Sequence, residues 1–428
     1  SAKRYLKCLQ AIRIEQLNNS RITERLNHHG IVNADKYTEI LSSIHNDYIQ
    51  ELESQNAIDF DDMIIRATKV VSEKKITPEW THILVDEFQD ISAARMSFLN
   101  ALIQAGPKPR LTAVGDDWQS IYRFSGGKLE LTTRFEELVG SCSTTKLQKT
   151  FRYNNSIADT AGKFVMQNPE QYRKSVITHN QVDSPQVFLL DSRVGSKNHL
   201  EQRTIQVIKA IRRNDSNGTI AVLARYRYLL DNTAGEIRSR YRNIKYWTFH
   251  GSKGLEADYC ILIGFFQGKT GFPNKNKEDA VVEALLPNLD SFPHSEERRL
   301  LYVAITRAKK KSYIIADPMA PSEFINELLT PNYSIHIGSK TFEEKYRKIF
   351  KCPVCAEGYF KLKSGKYGNF YCCTSGVACT SKPRICPKCG APSIDTSSKS
   401  ICNNHDCNHQ IKICDKCGRP MKQRDGKF

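Results

Sequence analysis

The sequence has no apolar run near the roughly 18 residues that a membrane-crossing helix needs. That excludes a helical membrane span. From Ser1 onward there is no basic-then-apolar signal pattern, so a cytoplasmic protein is the default expectation. An initiating Met is also absent, which hints at processing or a fragment. Acid is scarce: 46 Asp+Glu face 63 Lys+Arg, for a net charge of +17. An excess of that size points to a polyanionic partner, most often nucleic acid, although a merely soluble basic surface would also carry it. The phosphate-gripping loop GxxxxGK[ST] occurs nowhere. Gly264-Phe265-Phe266-Gln267-Gly268-Lys269-Thr270 comes near, but its first spacer is one residue short and Gly271, Phe272 and Pro273 follow where a helix should start. It reads as a loop after a strand.

Cysteine is sparse over most of the chain. Cys8, Cys142 and Cys260 stand alone and read as small apolar residues. The other 11 of the 14 lie between Cys352 and Cys417. Dense CxxC pairs in a cytosolic chain indicate zinc rather than disulfides.

The 428 residues suggest two to four domains, with an ordinary globular balance of 40% hydrophobic and 25% charged residues. Ile40, Leu41, Ile44, Tyr48, Ile49 and Leu52 recur at helical spacing. A second helix is expected from Ile58 to Val71, with Asp59, Asp61 and Asp62 suiting its N-terminal dipole. Then the pattern changes. His82-Ile83-Leu84-Val85 and Leu111-Thr112-Ala113-Val114 read as buried parallel strands. Further strands are expected at 187–190, 220–223, 259–263 and 312–316, with helices between them. Alternation of this kind indicates an α/β fold, in which functional residues sit where strands end.

The first strand runs into Asp86-Glu87-Phe88-Gln89-Asp90. Two adjacent carboxylates at a strand tip suit phosphoryl transfer: Asp86 to hold Mg²⁺ and Glu87 to act as general base toward water. A bare Asp-Glu would be weak; the full string is sharper. Four more strings follow in order: Gly115-Asp-Asp-Trp-Gln-Ser-Ile-Tyr122, Gln148-Lys-Thr-Phe-Arg-Tyr153, Thr248-Phe-His-Gly-Ser-Lys-Gly-Leu-Glu256 and Glu297-Arg-Arg-Leu-Leu-Tyr-Val-Ala-Ile-Thr-Arg-Ala308. On these motifs, over about residues 20 to 330, the chain resembles the UvrD/Rep family of superfamily 1 helicases, in particular its helicase IV branch.

The resemblance implies two RecA-like parallel-sheet lobes, the first incomplete. It implies a helical part of subdomain 1B at 1–57, the remainder of lobe 1A at 58–147 and lobe 2A at 148–330. Only about two dozen residues separate Leu223 from Thr248, too few for a large 2B insertion. It also implies ATP and Mg²⁺ as cofactors, DNA as partner, 3′-to-5′ movement and a role in DNA repair. By likeness, Gln119 senses the γ-phosphate, Arg152 contacts it and Arg307 is the arginine finger. Phe151 stacks on adenine, and Glu256 lies near the ribose. Thr248 and His250 lie near DNA, and Tyr122 and Phe124 are its stacking platform. Guanidinium groups suit charge building on equatorial oxygens, and placing them on a different lobe from Glu87 would make hydrolysis depend on closure. Trp118 is expected to pack. In the family the phosphate loop lies upstream of the first strand. The expectation is therefore a helicase portion that hydrolyses little by itself, with the loop supplied by an upstream segment or another chain. The alternative is a catalytically inactive DNA-binding module or half of a split helicase.

After a linker at 331–350, residues 351–428 resemble the zinc ribbons of type IA topoisomerases. From 341 onward, 17 Lys+Arg face 7 Asp+Glu. One Zn²⁺ set is expected from Cys352, Cys355, Cys373 and Cys379, with Cys372 as an alternative to Cys373. A second is expected from Cys386, Cys389, Cys402 and Cys407, where His405 or His409 could replace a thiolate. Cys414-Asp-Lys-Cys417 has no following pair and resembles the first half of a third ribbon.

Overall fold

The computed structural model describes residues 2–421 apart from 195–196, 269, 276–277, 288–290, 331, 356, 366–367, 389 and 406. The chain divides into two units. The first holds residues 1–147, 165–174 and 276–300; the second holds 148–164, 175–275 and 301–428.

The first unit opens with helices α1 (Ala2–Glu15), α2 (Asn19–His28), α3 (Ala34–Ser54) and α4 (Phe60–Ser72). The apolar faces of α1, α2 and α3 meet in one cluster that includes Cys8, Ile12, Ile22, Leu26 and Leu41. The acids ahead of α4 do more than suit a dipole. Asp59 is the N-cap and forms a capping box with Asp62. Buried Arg13 then pairs with both, at 2.8 Å and 2.6 Å.

Two parallel strands follow, β1 (His82–Val85) and β2 (Arg110–Ala113), with α5 (Ala93–Ala105) between them in sequence. Short helices α6 (Leu129–Thr133) and α7 (Phe135–Val139) come after. Ile83, Val85, Leu111 and Ala113 pack on Phe88, Ile91, Met96 and Leu99. The opposite face differs from the expectation of two-sided burial: Leu84 is 77% exposed and Val114 51%. The physical reason is that, among the described residues, this sheet has only two strands and nothing in its unit buries that face.

The second unit begins with the parallel pair β3 (Lys149–Asn154) and β4 (Ile177–Asn180), separated by α8 (Asn155–Val165). Its core is a six-stranded sheet. In chain order come β5 (Val187–Asp191), a small hairpin of β6 (Arg193–Val194) and β7 (Lys197–Asn198), α9 (Leu200–Asn214), β8 (Ile220–Ala224), α10 (Arg227–Arg240), β9 (Ile244–Thr248) and β10 (Ala257–Phe265). Helix α11 (Ala280–Leu285) belongs to the first unit, and the division falls within α12 (Ser295–Ile305). Then come β11 (Ala308–Ala316), α13 (Glu323–Leu328) and β12 (His336–Ile337). The order is β12-β5-β11-β10-β8-β9, and every pairing is parallel. Every residue of Ile220–Ala224 is buried, as an apolar run in a sheet covered on both faces requires. Gly264 lies in β10 and no helix follows it directly; Lys269 falls outside the described residues.

Residues 331–350 hold the edge strand β12 and helix α14 (Lys340–Phe350). Beyond them, β13 (Phe360–Gly365) and β14 (Gly368–Cys373) form an antiparallel hairpin. Strands β15 (Arg384–Ile385), β16 (Pro392–Asp395), β17 (Lys399–Cys402) and β18 (Gln410–Lys412) form a four-stranded antiparallel sheet.

Candidate functional site

In the first unit the chain turns as soon as β1 ends. Asp86 Oδ1 accepts the Glu87 N–H at 2.8 Å. Glu87 itself has φ 50° and ψ 41°, the left-handed region. A side-chain-bearing residue there stores strain of about 1–3 kcal/mol, a cost that clusters at functional turns. Both carboxylates are exposed. Gln89 is fully buried behind them. Its amide nitrogen donates to Glu87 Oε2, and its amide oxygen accepts the Asp116 N–H at 2.8 Å. The second bond fixes which way the amide faces. Gly115 allows the two strand tips to approach, because a Cβ there would stand 2.8 Å from Gln89 Oε1.

Asp116 extends the network. Its carboxylate receives the Gln119 amide at 2.7 Å and Lys174 Nζ at 2.5 Å. Lys174 also reaches Asp117. Asp117 is buried and takes the Gln171 amide at 2.7 Å and the Tyr172 N–H at 2.9 Å. Trp118 packs: it is 1% exposed, its indole N–H donates to Tyr172 O at 2.9 Å, and Lys174 lies over its ring. Arg299 donates to Ser120 O at 2.6 Å and to Gln171 Oε1 at 3.0 Å.

Phe124 follows on an exposed turn, 59% exposed, with Tyr122 edge-on at 5.8 Å between ring centroids. The intervening Arg123 points inward instead. It pairs with Glu283 at 2.7 Å and donates to Pro287 O at 2.6 Å. Its backbone N–H is held by Glu296, whose carboxyl burial pushes up to about 6.

In the second unit, Glu256 is gripped by Lys309 at 2.5 Å and by Arg152 at 3.4 Å. The hydrogen bond from Lys309, aided by Arg152, holds its carboxyl below the usual range. Arg307 is buried. Its guanidinium donates to Val303 O at 2.9 Å, to Leu255 O at 3.3 Å and to Thr306 Oγ1 at 3.2 Å. Burial, with Arg152 nearby, lowers its pKa to about 10, so it stays charged at neutral pH. Phe151 is 65% exposed, with His179 at 5.2 Å and Lys149 over its ring. Thr248 ends β9, and its hydroxyl accepts the Gly251 N–H at 3.0 Å. His250 follows, held neutral by burial and by Arg225, with a pKa of about 4.

The tail brings Cys352, Cys355, Cys373 and Cys379 together, all four sulfurs within 4.8 Å of one another. Cys352–Cys379 and Cys355–Cys373 are 3.7 Å and 3.5 Å apart. Tetrahedral Zn–S bonds of about 2.3 Å require sulfur separations of about 3.8 Å, so these residues fit zinc. Cys373 rather than Cys372 joins the set; the Cys372 thiol faces Lys361 O. Gly358 is required here, since a Cβ would stand 2.4 Å from Cys373 Sγ. Cys386, Cys402 and Cys407 form the second set, with Cys386–Cys407 at 3.8 Å. Its expected fourth ligand, Cys389, lies outside the described residues. The core between the sets is small, built on Phe350, Phe360 and Tyr371.

Motif reading found the strand-tip acids and the thiolates but gave no role to Gln89, Lys174 or Lys309. Gln89 lay within the quoted string. Lys174 is 58 residues from Asp116 and has no local signal.

Two family models match: the UvrD/REP helicase N-terminal domain over residues 3–140 and the UvrD-like helicase C-terminal domain over residues 229–317. The chain belongs to the UvrD/Rep helicase family. Among UvrD/Rep relatives, DNA helicase IV of Escherichia coli K12 is 38% identical over 279 residues, covering 65% of this chain and 40% of that protein. The ATP-dependent DNA helicase UvrD1 of Mycobacterium tuberculosis H37Rv is 28% identical, covering 41% of this chain and 24% of its own length. The chain therefore spans less than half of either relative. A solved C-terminal domain of a possible DNA helicase from Lactobacillus plantarum WCFS1 aligns over 44% of this chain and 98% of its own, at 18% identity and a TM-score of 0.28. The fold given above rests on the strand pairing itself. No described helix is long and apolar enough to cross a membrane.

Proposed function

We propose that this chain is the C-terminal portion of an ATP-dependent DNA helicase that moves 3′ to 5′ on single-stranded DNA, and that it hydrolyses little ATP by itself. The observation that carries the reading is the Glu87–Gln89–Asp116–Gln119 network at the tips of two parallel strands, in a UvrD/Rep chain. Glu87 takes the proton of the attacking water, and Gln89 orients its carboxylate. Gln119, held by Asp116, meets the γ-phosphate. Mg²⁺, held by Asp86, would supply charge neutralisation at the phosphates. Arg152 and Arg307 offset charge that develops on the transferred group. Phe151 stacks on adenine, and Glu256 sits near the ribose. Exposed Phe124, with Tyr122, stacks on bases, and Thr248 and His250 lie along the strand.

The sequence has no phosphate-gripping loop, and the open face of β1–β2 at Leu84 has room for further structure. We propose that polypeptide outside residues 1–428 supplies that loop. The same missing loop favours a second reading, a DNA-binding module without turnover. Strand displacement separates the two. With residues 1–428 in their native polypeptide, duplexes bearing a 3′ single-stranded tail should be opened with ATP and those bearing a 5′ tail should not. Opening of the 5′-tailed duplex would refute the polarity. Opening of neither, with DNA still bound, would support the second reading.

A further inference from the structure

Two cations share the Glu256 carboxylate, one on each oxygen. Lys309 Nζ lies 2.5 Å from Oε1, and Arg152 Nε lies 3.4 Å from Oε2. Strand pairing in the second unit brings the three residues together. β10 begins just after Glu256 and β11 just after Arg307. The parallel pairing of Ala257 with Ala308 sets those two starts side by side, and Ala257 N–H donates to Arg307 O at 3.0 Å. Arg152 comes from β3, whose last residue, Asn154, donates its side-chain amide to Lys310 O at 2.9 Å. The start of β11 therefore carries Lys309 to Glu256 and anchors the strand that bears Arg152. Side chains alternate along a strand, so Lys310 leaves this group and pairs with Asp215 at 2.7 Å.

The two contacts differ in strength. Arg152 and Glu256 form a loose pair between partly exposed groups, and such pairs are worth little. A triphosphate carries more negative charge than one carboxylate and would draw Arg152 away. Lys309 holds its oxygen closely, and its hydrogen bond is the foremost cause that keeps the Glu256 carboxyl below the usual range. With Arg152 turned to the phosphates, the carboxylate would stay charged and fixed by Oε1, leaving Oε2 to accept from a hydroxyl.

We propose that Lys309 is a positioning residue that fixes Glu256 by Oε1, so that Oε2 serves Arg152 and a ribose hydroxyl of the nucleotide by turns. The proposal rests on the reading of Glu256 as the ribose contact. It makes Lys309 a determinant of ribose recognition and ties capture of the sugar to the transfer of Arg152 onto the γ-phosphate.

The test measures binding of ATP and of 2′,3′-dideoxy-ATP, each with Mg²⁺, to the native polypeptide carrying residues 1–428, by calorimetry. The unaltered protein should prefer ATP by about tenfold, the worth of one hydrogen bond to a charged group. Lys309→Met should cut that preference to about twofold or less. Lys309→Arg, which keeps a charged donor for Oε1, should restore it. A general loss of structure would weaken both nucleotides alike and leave the ratio unmoved. Equal preference in Lys309→Met and the unaltered protein would overturn the proposal, as would no preference in the unaltered protein. A preference that follows Lys309, without DNA-stimulated release of phosphate, would uphold the proposal and overturn the helicase reading instead.

Discussion

Gln89 holds Glu87: its buried amide gives the carboxylate a donor on one side and anchors on the Asp116 N–H, at 2.8 Å, on the other. A glutamine at this point does what no apolar residue of its size can. Gln89→Leu should leave Asp116 N–H unpaired and Glu87 unaimed. Loss of orientation at a reacting group costs about 10²-fold. The expected outcome is a fall of that order in DNA-stimulated ATP turnover by the native polypeptide, with single-strand affinity unchanged. Equal turnover would remove Gln89 from the mechanism.

Lys174 compensates buried Asp117 and bridges it to Asp116. Its removal leaves a carboxylate in the interior without its cation, a change that costs about 3–5 kcal/mol. Lys174→Met should lower the melting temperature of the first unit by several degrees. Thermal denaturation measures this directly.

Phe124 is exposed while its neighbour Arg123 is tied inward. Base stacking on such a ring is worth about 1–3 kcal/mol. Phe124→Ala should weaken binding of a single-stranded oligonucleotide by about 5- to 150-fold, whatever its sequence. Fluorescence anisotropy reads this out. Unchanged affinity for mixed-sequence strands would place the DNA elsewhere.

His250 binds its proton only near pH 4, against 6.5 when solvated, because burial and Arg225 oppose the cation. Between those values the unfolded chain carries more protons than the folded one, so this residue's contribution to stability is present above about pH 6.5 and fades toward pH 4. The imidazole resonances should show a neutral ring from pH 8 to 5. A ring that titrates near 6.5 would contradict the packing around it.

Zinc removal should unfold the tail, since a core as small as Phe350, Phe360 and Tyr371 cannot hold two ribbons without metal. Chelation followed by circular dichroism tests it. Gly358→Ala should act in the same direction, because the added carbon meets Cys373 Sγ.

How far the sequence could be read follows from where each signal lies. Four strands of the six-stranded sheet announced themselves as apolar runs such as Ile220–Ala224, because burial on both faces leaves no room for polar alternation, whereas the edge strands β9 and β12 carry no such run and were missed. His82–Val85 carries the same composition but is open on one face, which no local pattern could reveal. The strand-tip acids and the CxxC pairs were legible because their chemistry needs neighbours in sequence. Arg123 was given no role from the sequence, and only its distant partner Glu283 shows it to be structural. Lys174 was illegible for the same reason.

The most direct measurement is phosphate release from ATP on oligo-dT by the native polypeptide carrying residues 1–428, unaltered and as Glu87→Gln, with DNA binding recorded on the same samples. The account predicts DNA-stimulated release from the unaltered protein, a loss of at least about 10²-fold on substitution and equal DNA binding by both. Release that survives the substitution would contradict it.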